Sequence, residues 1–376
     1  MTTTTTADTE SVRVVSADSH VLEPHDLWTT RLAGSRFADR APRMMEDEAH
    51  GHVFAIDGLR PFPVGLAGAA GKPAEELRYR GDQVESLRSG GWDPKARLAD
   101  MSTDGVAAEV LYPSVGMSLA QSKDLDYQLA CIRAYNDWLV EFCGAGGGRL
   151  AGLAMIPAID VGAAVDEVER CHDAGLKGAM VPGMPPEGHY AEARFDPLWA
   201  AFAERGWPVS FHILTGAMGG DPTLRSGIAM LSVMSIVHQM QQTLSLLIFG
   251  GVFDRHAQLR VVSAEHDGGW VAHFAYRLDQ MYERHHSWLG RNAAPISRRP
   301  SEYLSEQCWY TFQKDPVAVE TRQRVGVGQL MWASDYPHSD STWPHSRKVI
   351  ERDFAGVSRP DLEAIVGGNA AALYGL

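Results

Sequence analysis

Cysteine is scarce in this chain. Cys131, Cys143, Cys171 and Cys308 are its only four, and no two form a CxxC pair. Three fall in stretches patterned as helices, which predicts buried free thiols and a reducing, cytoplasmic setting. Positive charge is also short. Thirty-four Lys and Arg face 47 Asp and Glu, a formal net charge of −13, which argues against a nucleic-acid backbone as partner. Long apolar runs are missing. The longest, over 244–253, is interrupted by Ser245, Gly250 and Gly251 and falls well short of the about 20 residues that a bilayer span needs. The opening MTTTTTADTE has neither a basic region nor an apolar core, so it reads as a disordered tail over 1–10 rather than a signal peptide. No G-x-G-x-x-G follows the first apolar strand, which leaves a dinucleotide site without support.

What remains is an alternation. From Asp93 onward, helical and strand patterns take turns: strands are expected in VAAEVLYP, RLAGLAMIP, LKGAMVP, PVSFHI, LRVVSAE, CWYTFQ and QLMWASD, with helices between them. Long helices are expected over 125–143 and 230–255. With the β-branched run at 12–17 there are eight strands. Several are continuously apolar, as in a parallel sheet covered on both faces. Eight β/α units predict a (β/α)8 barrel filling residues 11–376 as one domain, with an open doubly wound sheet as the other architecture. Residues 25–92, rich in Gly, Pro and Arg, are too long for a loop and read as an irregular insertion over the barrel mouth.

A barrel of this kind places its chemistry at the carboxyl ends of its strands. The first strand ends in Asp18-Ser19-His20, and residues two apart on a strand share a side, so Asp18 and His20 can meet one ion. The fifth ends in His212, the sixth in Glu265-His266-Asp267, and the eighth in Asp335-Tyr336-Pro337-His338. Each alone has an ordinary reading: a core histidine, a solvated loop, an Asx-turn. Together, at strand ends that face one centre, they predict a divalent metal site, for which Zn, Fe and Mn suit mixed imidazole and carboxylate donors. Glu23, three residues past His20, is either a ligand or a carboxylate bound to nearby backbone.

SADSHVLEP, SFH, SAE…GGW, WASDYPHSDSTWP and the terminal GNAAALYG come in order at barrel spacing. In this the chain resembles the amidohydrolase superfamily, in particular the branch that includes aminocarboxymuconate-semialdehyde decarboxylase and its hydrolase relatives. The resemblance implies metal ligands at Asp18, His20, His212 and Asp335, and a ligand or proton-transfer group at Glu265 or His266. Asp-x-His replaces the family's usual His-x-His, which makes the site more anionic. The lysine that bridges two metals in binuclear members has no counterpart, because Lys177 opens the fourth strand instead of ending it. A second ion would then rely on Glu265 or Glu23.

The leading expectation is metal-dependent hydrolysis of an amide, lactone, ester or thioester of a small organic, bulky acyl substrate. Asp335 would act as base and Glu265 or His266 would assist the leaving group. The alternative is non-oxidative decarboxylation of an aromatic or unsaturated acid, with Arg225 or Arg277 as candidate cations. A non-catalytic metal-binding scaffold is the third reading. The insertion, the segment 216–228, and Trp92, Met218, Trp288 and Trp343 are expected to line the pocket. The apolar content of the two long helices predicts a homodimer or higher homo-oligomer.

Overall fold

The eight apolar runs become eight parallel strands. The computed structural model describes residues 11–48, 51–78, 84–215, 229–289 and 296–376. The barrel strands are β1 (Val15–His20), β5 (Ala108–Tyr112), β6 (Leu150–Met155), β7 (Gly178–Val181), β8 (Val209–His212), β9 (Val261–Ala264), β10 (Cys308–Phe312) and β11 (Leu330–Trp332). They hydrogen-bond in that order, each parallel to the next. Nearly every strand residue is buried, because helices cover the outside and side chains fill the inside, which is why the sequence runs are apolar without alternation. The result is a nearly closed (β/α)8 barrel.

Helix starts follow local rules. Asp93, Asp124, Asp160 and Asp315 each cap a helix by accepting a backbone N–H, and a proline occupies the first turn behind Asp93 and Asp315. The helix expected over 230–255 is in fact two, Ala229–Phe249 and Val252–Arg255. Gly251 separates them at φ 70°, a left-handed conformation that ends helices.

The insertion is not irregular throughout. It contains an antiparallel sheet of β2 (Arg43–Asp47), β3 (Gly51–Ala55) and β4 (Phe62–Pro63), in which Met44 pairs with Phe54 and Phe54 with Phe62. These strands are too short for their alternation to stand out from the surrounding Gly and Pro. Behind them, Ala70 N–H donates to the Pro337 carbonyl at 2.9 Å and Ser339 N–H to Leu66 at 2.9 Å, which joins the insertion to the chain leaving β11.

β1 and β11 are the two ends of the strand order, and the seam between them closes differently from the rest. The β1–β5 pairing shifts register between Ser16 and Ser19. The hydroxyls so turned form a buried cluster, with Ser16 Oγ 2.9 Å from Ser19 Oγ and Ser334 N–H donating to Ser16 Oγ at 2.8 Å. Above it, Asp335 N–H donates to the Asp18 carbonyl at 2.9 Å, and His20 N–H to the Tyr336 carbonyl at 2.6 Å. The seam therefore carries the site's residues on both sides.

Candidate active site

Asp18 and His20 leave β1 on the same side, as the two-residue strand period requires. Both are buried and meet His212 from β8 and Asp335 from beyond β11. His20 Nε2 lies 3.5 Å from Asp18 Oδ1 and 3.4 Å from Asp335 Oδ1. His212 Nε2 lies 3.6 Å from Asp18 Oδ1 and 3.3 Å from Glu265 Oε2. Asp18 Oδ1, His20 Nε2, His212 Nε2 and Asp335 Oδ1 are all buried without a hydrogen-bond partner. Four orphaned polar atoms facing one another would be costly unless a cation completes them.

The second polar atom of His20, His212 and Asp18 is occupied, which fixes the orientation of each. His20 Nδ1 lies 2.7 Å from the Pro113 carbonyl and His212 Nδ1 3.1 Å from that of Ile213. A carbonyl only accepts, so each Nδ1 carries the proton, and each Nε2 can turn a lone pair to an ion. Thr311 donates to Asp18 Oδ2 at 2.9 Å and accepts from Glu265 N–H at 2.8 Å. Glu265 and Asp335 sit at φ 60° and φ 54°, left-handed backbone that is uncommon outside glycine and that Asp tolerates better than Glu.

Electrostatics supports the same reading. Burial, followed by the charge of Asp18, pushes the Asp335 carboxyl well above its usual range. Burial and then Asp335 do the same to Glu265. Burial opposes a charge on His212, but Asp18 and Glu265 outweigh it and raise the imidazole to about 9. His20 moves the other way, well below 6.5, through burial and the neighbouring His338 and His212. The cluster is short of positive charge, and a divalent cation would supply it.

Among the described residues, two overlapping groups have ligand-type atoms close enough to share an ion: Asp18, His20 and His212, and His20, Asp335 and His338. His338 is the member that sequence reasoning left out of the ligand set. Its ring stacks on His20 at 3.9 Å between centroids, its Nδ1 lies 2.9 Å from Asp335 Oδ1, and its Nε2 2.9 Å from Ser114 Oγ. The signal was present in Asp335-Tyr336-Pro337-His338. A turn in which His338 N–H donates to the Asp335 carbonyl brings the imidazole back over the site. Thr311 was also missed, and a threonine in a strand offers no signal.

Glu265 stands beside His212 at the cavity edge but belongs to neither group. His266 is buried on the cavity wall, with an unpartnered Nδ1, and burial lowers its pKa to about 3. Glu23 does not join the ligands. It accepts the N–H groups of Ser114, Val115 and Gly116 at 3.2, 3.1 and 2.9 Å. The backbone-bound alternative describes it, because the turn after β5 presents three amides at the point where the chain from β1 arrives. Glu23→Gln is expected to keep full metal content and to lower stability by about 1–3 kcal/mol, since an amide cannot accept from all three donors. Metal analysis alongside a thermal melt checks this, and loss of metal at unchanged stability would return Glu23 to the ligands.

A cavity of about 210 Å³ opens onto this cluster, with Ile213, Ile236, Val237 and Phe312 as its apolar lining. Its polar lining includes Asp18, Glu265, His266, Asp267, Gln313 and Asp340. The expected aromatic lining is elsewhere. Trp92 lies with Met44 and Val84 in a separate recess beside Glu23, Trp288 is 58% exposed, and Trp343 packs under Arg88. Met218, Arg225 and the whole segment 216–228 lie outside the described residues. Arg277 is on the exposed face of helix Val271–Leu289, where it donates to Gln280. Lys177 precedes β7, as expected, at the end of the barrel away from the site. Among the described residues, no helix is long and apolar enough to cross a membrane.

Comparison with known proteins extends this picture. The chain is 23% identical over 285 residues to gamma-resorcylate decarboxylase of Rhizobium sp. (strain MTP-10005), covering 70% of this chain and 84% of that one. It is 22% identical over 304 residues to 2-amino-3-carboxymuconate-6-semialdehyde decarboxylase of Dictyostelium discoideum, covering 80% and 82%. Among solved structures, an amidohydrolase of Mycobacterium avium subsp. paratuberculosis K-10 superposes with a TM-score of 0.77 at 23% identity, covering 97% of this chain and 98% of that one. A manganese-bound 5-carboxyvanillate decarboxylase of Novosphingobium aromaticivorans superposes with a TM-score of 0.71 at 20% identity, covering 100% of each. The curated relatives are decarboxylases, which overturns hydrolysis as the leading expectation; strand-end ligands are common to both reactions, so the motifs could not separate them. The amidohydrolase family model matches residues 47–376, the very stretch that builds seven of the eight barrel strands and delivers His212 and Asp335, and the chain belongs to that family.

Proposed function

We propose that this enzyme is a divalent-metal-dependent, non-oxidative decarboxylase of an aromatic or unsaturated carboxylic acid. The observation that carries the reading is the shared reaction of the curated relatives, which the chain matches over most of its length. The site supports it. Its described lining holds several carboxylates and neither Lys nor Arg, so a substrate carboxylate needs a cation from another source. Asp18, His20, His212 and Asp335, with His338 alongside, would hold one divalent ion, which supplies that positive charge and draws electron density from the acid. Manganese is the first ion to test, given the solved relative that contains it.

In the reaction the bond from substrate carbon to carboxyl carbon breaks, CO2 leaves, and the electron pair left on carbon takes a proton. Glu265, in the cavity lining, and Asp335, 3.4 Å from His20 Nε2, would be the carboxyl groups that move that proton, with the His266 imidazole also in the lining. Ile213, Ile236, Val237 and Phe312 offer an apolar surface to a flat ring and keep water from the carbon. The test incubates manganese-loaded protein with a panel of hydroxybenzoic and unsaturated acids in D2O, and follows CO2 release and deuterium at the vacated carbon. Release with one deuteron incorporated, abolished by a chelator and restored by Mn2+, is the expected result. Turnover of an ester panel with no CO2 from any acid would overturn the reading.

A further inference from the structure

We propose that Arg97, which touches none of the orphaned ligand atoms, is the positioning residue that holds the two ligand-bearing segments of the site in register. The inference rests on the metal site proposed above and concerns what keeps that site in shape. Asp18 and His20 come from β1, while Asp335 and His338 follow β11. Among the described residues these two strands are the ends of the strand order, and the backbone between their ligand segments is tied by two bonds alone, Asp335 N–H to Asp18 and His20 N–H to Tyr336. Ligand geometry across this seam therefore depends on whatever ties the two chain segments together.

Arg97 is fully buried on helix Pro94–Asp104. Its Nη1 donates to the His20 carbonyl at 2.6 Å and reaches that of Gly90 at 3.4 Å, and its Nη2 reaches the Tyr336 carbonyl at 3.5 Å. The Tyr336 carbonyl is the same one that accepts from His20 N–H at 2.6 Å. One guanidinium thus addresses the carbonyl of a first-strand ligand and the carbonyl of the residue that directly follows Asp335. Its face lies 4.5 Å from the Tyr336 ring centroid, so it also meets that segment from the side. The charge is balanced by Glu109 on β5, whose Oε2 accepts from Nε at 2.5 Å. Rotating the His20 peptide would swing Nε2 off the site, and the Arg97 bond resists that rotation.

A lysine could balance Glu109, but its three donors radiate from a single atom. Only a planar fork serves a carboxylate and carbonyls from two separate segments at once. A buried ion pair kept for stability alone would tolerate apolar replacement of both partners. A clasp on the ligands would not, because the carbonyls of His20 and Tyr336 would lose their shared donor.

The experiment compares Arg97→Met/Glu109→Leu and Arg97→Lys with the unaltered chain. It measures thermal stability of the metal-free protein, Mn2+ affinity by calorimetry, and the EPR spectrum of bound Mn2+. Outer residues that orient ligands typically contribute 10–100-fold in metal affinity. The expected result is a double variant that melts within a few degrees of the parent, binds Mn2+ roughly 10–100-fold more weakly, and shows an altered EPR spectrum. Should the double variant fail to fold, Arg97→Lys carries the decision: weakened Mn2+ binding with a changed spectrum supports the role, and affinity within twofold overturns it. Unchanged affinity in a folded double variant likewise reduces Arg97 to a structural ion pair. A parent protein that binds no divalent ion overturns the metal reading itself, and this inference with it.

Discussion

Asp335→Asn is expected to leave the fold intact and to lower turnover by at least ~100-fold, the low end for losing a general acid or base. The backbone at this position is left-handed, at φ 54°. Asn accepts that conformation as readily as Asp, whereas Ala or a branched residue would add strain of its own. The backbone bonds that hold the residue, Asp335 N–H to the Asp18 carbonyl and His338 N–H to the Asp335 carbonyl, both 2.9 Å, do not involve the side chain. What changes is chemistry. Oδ1, which faces His20 Nε2 at 3.4 Å and His338 Nδ1 at 2.9 Å, loses its negative charge, and the group can no longer take up or deliver a proton. Metal content is expected to fall less than turnover, because Asp18, His20 and His212 remain. The measurement is kcat of the manganese-reconstituted variant beside its circular dichroism spectrum. Activity within a few-fold of the parent would remove Asp335 from proton transfer.

The largest expected effect on stability lies at the opposite end of the barrel, where Gly367 packs against the start of β1. Gly367→Ala is expected to cost about 3 kcal/mol, the upper part of the range for overpacking a filled interior. A Cβ at Gly367 would stand 2.2 Å from the Arg13 carbonyl oxygen and 3.3 Å from Val15 N. Both are backbone atoms, so neither can swing aside as a side chain would. Relief requires moving the π-helical turn Ala364–Gly368 away from β1, and with it Asn369, which donates to the carbonyls of Val327 and Leu330 at 2.7 and 2.8 Å. That turn secures the seam at its foot. At roughly 2 °C per kcal/mol for a domain this large, the melting temperature should drop by about 6 °C. Gly144→Ala is the control, since a Cβ there meets nothing within 4 Å and alanine suits a helix better. A Gly367→Ala protein melting within 1 °C of the parent (about 0.5 kcal/mol) would show that the contact is slack.

Arg97 shows how far a sequence reading extends. In DPKARLADMSTDG it is one charged residue on a helix, a setting in which solvation is the ordinary outcome. Only the arrival of three carbonyls and Glu109 around it makes burial tolerable. The insertion is similar: its apolar residues were legible, but the pairing of Met44 with Phe54 depended on a short hairpin whose strands carry little signal of their own.

The barrel and the meeting of most candidate ligands at its mouth were legible in the sequence. Strand periodicity and strand-end chemistry are local properties, so Asp18-x-His20, His212 and Asp335 could be placed at the mouth from neighbouring residues alone. The tertiary structure decided which polar groups share space. Glu23 went to the amides after β5 instead of the ligands, and His338 folded back over His20. The seam closed through serines and one arginine. The contacts that Arg97, Glu23 and Ser334 make here join residues 77 to 318 positions apart. No local pattern encodes such a meeting, because it is set by how the strands close around a common centre.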